Sequence, residues 1–242
     1  WSIHENVIEG LCPGADLFGF VEALDLDGVS VGMRHRPLHS DTSELTVVDD
    51  WGVTWGRTAE SYAPIEGPIK SRAVLDEYTL PSPYDDKLIA DLKRAVERFK
   101  GERFIAYTTR AEFMSAADLR GLSELLMDFV DDPELVHRVF GMVSDFYCTL
   151  IRRAVEAGAD AVMLGDDWAH NTGPFMSPAQ FREVVLPYFE RAVKTCQDAG
   201  GYAIKHCDGN IWSIIEMVVD TGIDAINPIQ PDAGMEIGEG KR

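Results

Sequence analysis

His206 and Asp208 stand two residues apart where the apolar run 202–205 gives out, just before the turn-forming Gly209 and Asn210. Alternate residues of a strand share a face, so this spacing aims an imidazole and a carboxylate the same way and turns Lys205 and Cys207 to the other side. A nitrogen and an oxygen donor so placed can bind zinc or work as a hydrogen-bonded acid–base couple; a histidine simply tied to its neighbouring Asp is the structural alternative. A second apolar run, 161–164, ends in Gly165, Asp166, Asp167 and Trp168. There Val162, Leu164 and Asp166 share a face and Asp167 falls on the other. Asp166 is the candidate catalytic acid, orienting substrate or moving a proton, and Asp167 is assigned to capping a helix.

A third run, 223–226, leads into Asn227, Pro228, Ile229 and Gln230. Asn210, Asn227 and Gln230 offer neutral hydrogen bonds to a substrate, although turns beside Pro228 and Pro231 account for Asn227 and Gln230 equally well. Arg110 and Glu112 follow a fourth run, 104–108. Arg110 is a candidate substrate-binding residue, with a surface ion pair as the alternative.

Such side chains act together only if strands deliver them to one end of a sheet. Residues 27–33, 104–108, 161–164, 202–206 and 223–226 read as strands, and helices are expected between them at 85–99, 116–130, 133–157, 177–197 and 211–220. Asp132 and Ser177 are N-caps, each followed by proline at the first helical position. Residues 44–49 and 52–57 read as a hairpin-like excursion, and 62–83, rich in proline and polar residues, as a surface loop. Strands separated by helices imply a parallel α/β sheet. Five strands suit an eight-stranded (β/α)8 barrel cut short, or an open doubly wound sheet. Without G-x-G-x-x-G after any strand, the dinucleotide-binding form of the open sheet is disfavoured.

The 242 residues carry 41 acidic against 22 basic side chains, a net charge of -19, which disfavours nucleic acid and anionic membrane surfaces as partners. No run approaches the roughly 18 apolar residues of a membrane span, and no signal pattern opens the chain. Four scattered cysteines without CxxC spacing fit a reducing compartment, so the expected location is cytoplasmic. The chain opens at Trp1 and stops at Gly240, Lys241 and Arg242, just after a strand. It is expected to be one domain over 1–242 and an incomplete copy of a longer barrel, with an unpaired strand edge.

Several pieces together resemble the uroporphyrinogen decarboxylase superfamily of decarboxylases and cobalamin-dependent methyltransferases. These are Gly158, Ala159 and Asp160 before the strand ending Gly165, Asp166, Asp167, Trp168; then Ser177 and Pro178, Phe181 to Glu183, and Leu186 and Pro187; then His206, Gly209 and Asn210; then Gly222 to Asp224. The resemblance implies a TIM barrel, of which this chain shows about five parallel strands, and makes Asp166 the family's strand-end acid. The first strand ends Gly32, Met33, Arg34, without the Asp of a true decarboxylase, and the methyltransferase branch has a histidine where His206 stands. In that branch His-x-Cys binds zinc; here Asp208 replaces the cysteine, and any later ligand would lie beyond Arg242.

The resemblance therefore implies a methyltransferase moving a methyl group between a small donor or acceptor and cobalamin carried by a separate corrinoid protein, with zinc on His206 and Asp208. Uroporphyrinogen decarboxylation is the rival activity; the missing strand-one Asp and the net charge of -19 count against a substrate bearing many carboxylates. A non-catalytic barrel that only binds is the third class.

Overall fold

The structure, a computed structural model, describes residues 3–33, 44–59 and 61–238; Trp1, Arg34 and residues 240–242 of the sequence reading lie outside these. In chain order the strands are β1 (Gly28–Gly32), β2 (Thr46–Val48), β3 (Thr54–Arg57), β4 (Tyr62–Glu66), β5 (Phe104–Arg110), β6 (Ala161–Gly165), β7 (Ala169–His170), β8 (Gly173–Pro174), β9 (Tyr202–His206) and β10 (Ala225–Asn227). Five of them form one sheet in the order β1-β5-β6-β9-β10, and every neighbouring pair is parallel. Strands β2, β3 and β4 make a separate antiparallel sheet, and β7 and β8 a short ribbon.

The two faces of the parallel sheet differ as alternation requires. Val29, Val31, Ile105, Tyr107, Val162, Leu164 and Ala203 are buried on one side, under the helices. The register aligns Thr108, Met163 and Ile204 on the opposite, more open side. One row further on, Arg110, Gly165, His206 and Asn227 occupy matching positions on four successive strands. The carboxyl ends of the strands thus lie side by side.

The covering helices follow the sequence pattern with instructive departures. Asp132 caps the long helix Pro133–Glu156 through Leu135 N, as expected. The helix expected over 116–130 is two, Glu112–Arg120 and Leu122–Asp131, because Gly121 sits at φ +96°, where a helix cannot continue. After Ser177 the chain makes a short turn of helix and a wide π-type segment, Phe181–Val185, before the helix Leu186–Asp198. The wide turn lies just before Pro187, which has no N–H to give an α ladder. Residues 62–83 are not simply a loop. They contain β4 and the helix Arg72–Glu77, and Pro64 is tolerated because β4 is an edge strand. The last helix begins at Ile215, later than expected, and the helices Glu5–Leu11 and Leu17–Ala23 were not anticipated.

Among the described residues β1 and β10 are the two sheet edges, each paired on one side. Against β1 lies a groove of about 560 Å³ lined by Leu17, Val21, Leu26, Val29 and Ser30. No helix among the described residues is long and apolar enough to cross a membrane.

Candidate functional site

Strand β9 carries His206 to its carboxyl end, and Asp208 follows on the exit. Strand β6, next to it, ends at Gly165, directly opposite His206. The residue two beyond Gly165 is Asp167, so Asp167 emerges on the same open side as His206. One donor atom from each of Asp167, His206 and Asp208 can be chosen so that all lie within 4.8 Å of one another. His206 Nε2 is 3.9 Å from Asp167 Oδ1 and 3.8 Å from Asp208 Oδ2. The Asp208 backbone N–H donates to Asp167 Oδ1 at 3.0 Å, joining the two strand ends.

The other imidazole nitrogen is occupied. His206 Nδ1 lies 3.3 Å from Asn227 Oδ1 on the neighbouring β10. An amide oxygen can only accept, so this contact is a hydrogen bond when Nδ1 donates, the tautomer in which Nε2 can serve as a metal ligand. The His206 side chain is 23% exposed and those of Asp167 and Asp208 are 42% and 59% exposed, so the cluster is open to a small molecule. Gly209, at φ +87°, lets the chain turn away beneath β7: a Cβ there would meet the Ala169 carbonyl at 2.8 Å.

Asp166 belongs elsewhere. Its side chain is buried on the helix side, where its carboxylate accepts from Phe113 N at 3.1 Å, Met114 N at 2.6 Å and Trp168 Nε1 at 2.8 Å. It caps the helix Glu112–Arg120, whose own N-cap, Ala111, has no side-chain acceptor. Burial raises the Asp166 carboxyl from its ordinary range, while the Lys205 ammonium pulls it back. The expected placement is corrected here: Asp166 does the capping assigned to Asp167, and Asp167 stands with His206 and Asp208.

The remaining candidates divide. Asn227 is at the site through His206. Asn210 is spent on the turn, with Nδ2 donating to Ala233 O at 2.9 Å and Oδ1 accepting from Trp212 N at 3.1 Å. Gln230 Oε1 accepts from Gly209 N at 2.7 Å, holding the same turn. Arg110 is neither free nor on the surface. It pairs with Asp118 beneath the β2–β4 sheet, beside a cavity of about 10 Å³ lined by Asp49, Trp51, Trp55 and Tyr147. That is room for about one water. Glu112 is buried as well, and burial first, then the Asp166 charge, push its carboxyl up to about 8.

Sequence reasoning missed Asp167 as a site residue because alternation along β6 says which residues share a face but not which face is open. The Gly165–His206 pairing decides that. It turned Cys207 to the helix side, and the structure buries it there with Sγ 3.2 Å from Trp168 N and its thiol pushed up to about 11 by burial.

Residues 42–239 match the family of uroporphyrinogen decarboxylase (URO-D), most of the chain. The chain belongs to the URO-D family. It is 26% identical over 215 residues to a uroporphyrinogen decarboxylase of Dechloromonas aromatica, a match covering 82% of this chain and 57% of that protein. A uroporphyrinogen decarboxylase of Nocardia farcinica is 31% identical over 114 residues, 46% of this chain and 31% of its own. The chain thus spans little more than half the length of the curated relative it matches over most of its residues. Among solved structures, a methyltransferase from Methanosarcina mazei superposes with a TM-score of 0.67 at 17% identity, covering 87% of this chain and 60% of that one. The likeness establishes the fold: the five parallel strands and their helices are those of the URO-D (β/α)8 barrel.

Proposed function

We propose that this URO-D family chain carries the metal centre of a methyltransferase that passes a methyl group between a small substrate and cobalamin on a corrinoid partner protein. One observation supports the reading above all: Asp167, His206 and Asp208 converge with His206 Nε2 facing both carboxylates. One nitrogen and two oxygens are an acceptable donor set for zinc, and three protein ligands leave a fourth position for substrate. Ligands each about 2.0 Å from a tetrahedral zinc stand about 3.3 Å apart. The 3.8 and 3.9 Å separations lie within a small rotation of two half-exposed carboxylates.

When bound, zinc would supply Lewis acidity that lowers the pKa of a coordinated thiol, alcohol or water. The protein's own residues do the rest. Asn227 holds the Nδ1 proton and so fixes the ring's orientation. Asp167 and Asp208 bring negative charge that balances a divalent cation, and the Asp208 N–H keeps Asp167 in place. Met163 and Ile204, on the same side of the sheet as His206, would give the substrate an apolar floor.

Uroporphyrinogen decarboxylation is the second reading, favoured by the names of the sequence relatives. There His206 and its carboxylate neighbours would position and protonate a pyrrole substrate without metal. Zinc analysis of the purified protein, with methyl transfer from candidate thiol, ether and amine compounds to or from free cobalamin, separates the two. Stoichiometric zinc and cobalamin-dependent transfer, both abolished by His206→Ala, support the methyltransferase. Metal-free protein that converts uroporphyrinogen overturns it.

A further inference from the structure

Lys205 extends from the opposite side of β9 to His206 and is completely buried in the layer of helices. An ammonium there must find partners in an otherwise apolar surround. Its Nζ donates to the backbone carbonyl of Asp166 and, at 2.6 Å, to that of His206. The Trp168 ring lies beneath it, with Nζ 3.8 Å from the centroid, and the same indole is pinned to the Asp166 carboxylate at 2.8 Å. One side chain therefore spans the exits of β6 and β9.

The carbonyls it holds are not arbitrary. The Asp166 carbonyl shares its peptide plane with the nitrogen of Asp167, and the His206 carbonyl belongs to a metal-site residue and starts the peptide leading to Asp208. Between the backbone rung from Asp166 N to His206 O at 3.1 Å and the next backbone bond, from Asn210 N to His170 O at 3.0 Å, contact between the two exits is made by side chains. Asp208 N meets the Asp167 carboxylate, Trp168 N meets Cys207 Sγ, and Lys205 grips both carbonyls. Packing alone would not call for a lysine, since methionine fills a similar volume without a charge to desolvate.

We infer that Lys205 is a positioning residue for the metal centre: by holding the Asp166 and His206 carbonyls together it sets the spacing of Asp167, His206 and Asp208 and so their affinity for a divalent cation. The inference rests on the metal-centre reading of the same site. It also predicts an effect that does not need the metal, because the two strand exits are ordered by Lys205 whether or not a cation is bound.

The experiment compares Lys205→Met, Asp166→Asn and the double variant with the unaltered protein. Lys205→Met alone leaves the Asp166 carboxylate buried without its cation, so the double variant against Asp166→Asn isolates the lysine in a neutral pocket. Zinc affinity is read by competition with a chromophoric chelator, geometry by the visible spectrum of bound Co²⁺, and local order by amide hydrogen exchange. The expected result is a cooperatively folding double variant whose zinc affinity falls about 10- to 100-fold, the range typical of residues that orient metal ligands. Its Co²⁺ spectrum shifts, and exchange accelerates at 165–169 and 206–210 but not across the rest of the sheet. Zinc affinity, Co²⁺ spectrum and exchange equal to those of Asp166→Asn overturn the inference. If the unaltered protein binds no zinc, the metal-centre reading fails by itself, and exchange alone then decides for or against Lys205 as the residue that orders the two exits.

Discussion

Asp166 and Asp167 are consecutive residues that serve opposite sides of one sheet. The Asp166 carboxylate takes three N–H donors in the buried helix layer, while Asp167 stands half-exposed beside His206 on the open side. A strand's alternation separates them, and the pairing of Gly165 with His206 decides which of them reaches the site. The separation predicts opposite phenotypes. Asp166→Ala strands three N–H donors in the buried layer, and should lower unfolding free energy by about 3 kcal/mol or more, since each buried donor left without its acceptor costs about 1–3 kcal/mol. Asp167→Ala should cost only about 0.5–1.5 kcal/mol in metal-free buffer, the usual worth of the one hydrogen bond it accepts from Asp208 N, yet abolish zinc binding. Urea denaturation and metal titration of the two variants check this. A stable Asp166→Ala protein, or an Asp167→Ala protein that still binds zinc, would reverse the assignment.

Asn227 is expected to act on the metal centre through His206. Its amide oxygen holds the Nδ1 proton, so Asn227→Ala frees the ring to rotate and to change tautomer, and zinc affinity should drop by about 10-fold or more. Asn227→Asp keeps an acceptor at Nδ1 and adds charge, which raises the basicity of Nε2, so its affinity should equal or exceed that of the unaltered protein. Chelator competition on the pair tests the order; equal affinities for Asn227→Ala and the unaltered protein would remove Asn227 from the site.

Glu112 gives stability a pH dependence of unusual sign for a carboxyl. Burial, then the Asp166 charge, push its folded-state value from 4.5 to about 8, with Lys205 acting the other way. Between those values the folded protein keeps a proton that the unfolded chain has released, so stability falls as pH rises. The contribution is fully present below about pH 4.5 and is lost as pH climbs through about 8. Glu112→Gln keeps the shape without the proton, so its stability advantage over the unaltered protein should widen across this window, reaching a few kcal/mol at most by about 1.4 kcal/mol per unit. Denaturation curves for both proteins at the two ends of the window measure the difference. A constant difference would show that Glu112 is not held protonated.

What the sequence disclosed and what it hid divide along the range of the interactions. The helix-covered strands were legible because Val29, Val31, Val162 and Leu164 are buried by period, and Asp132 was legible as a cap because its partner, Leu135 N, lies within one turn. The pairing of His206 with Asp208 is likewise a local matter of two residues on one strand. The start of the helix Glu112–Arg120 was not legible: its cap is Asp166, more than fifty residues away, and nothing beside Ala111 announces it. Strand β4 was hidden by Pro64, whose missing N–H matters only if the strand lies inside a sheet. Arg110 looked available because its partner, Asp118, and the β2–β4 sheet that covers it are brought there by the fold.

Cys207 offers the sharpest test, because a thiol beside His206 is the residue that a search for zinc ligands would choose. Strand alternation turns it away from His206, and the structure buries it completely on the side of Lys205 and Trp168, with Trp168 N donating to Sγ at 3.2 Å. Burial also holds the thiol up at about 11, far from the thiolate that binds metal. Cys207→Ala should therefore leave zinc content and any methyl-transfer activity intact, and cost about 1 kcal/mol in packing. Cys207→Ser should cost no more stability than Cys207→Ala, because its hydroxyl can accept from Trp168 N and donate to Asp208 O as the thiol does, and it too should leave zinc bound. Metal analysis and denaturation of both variants provide the check. Loss of zinc from a fully folded Cys207→Ala protein, or a zinc–sulfur distance of about 2.3 Å at this residue, would require a bulge that reverses the parity of β9 and would replace Asp208 with Cys207 in the ligand set.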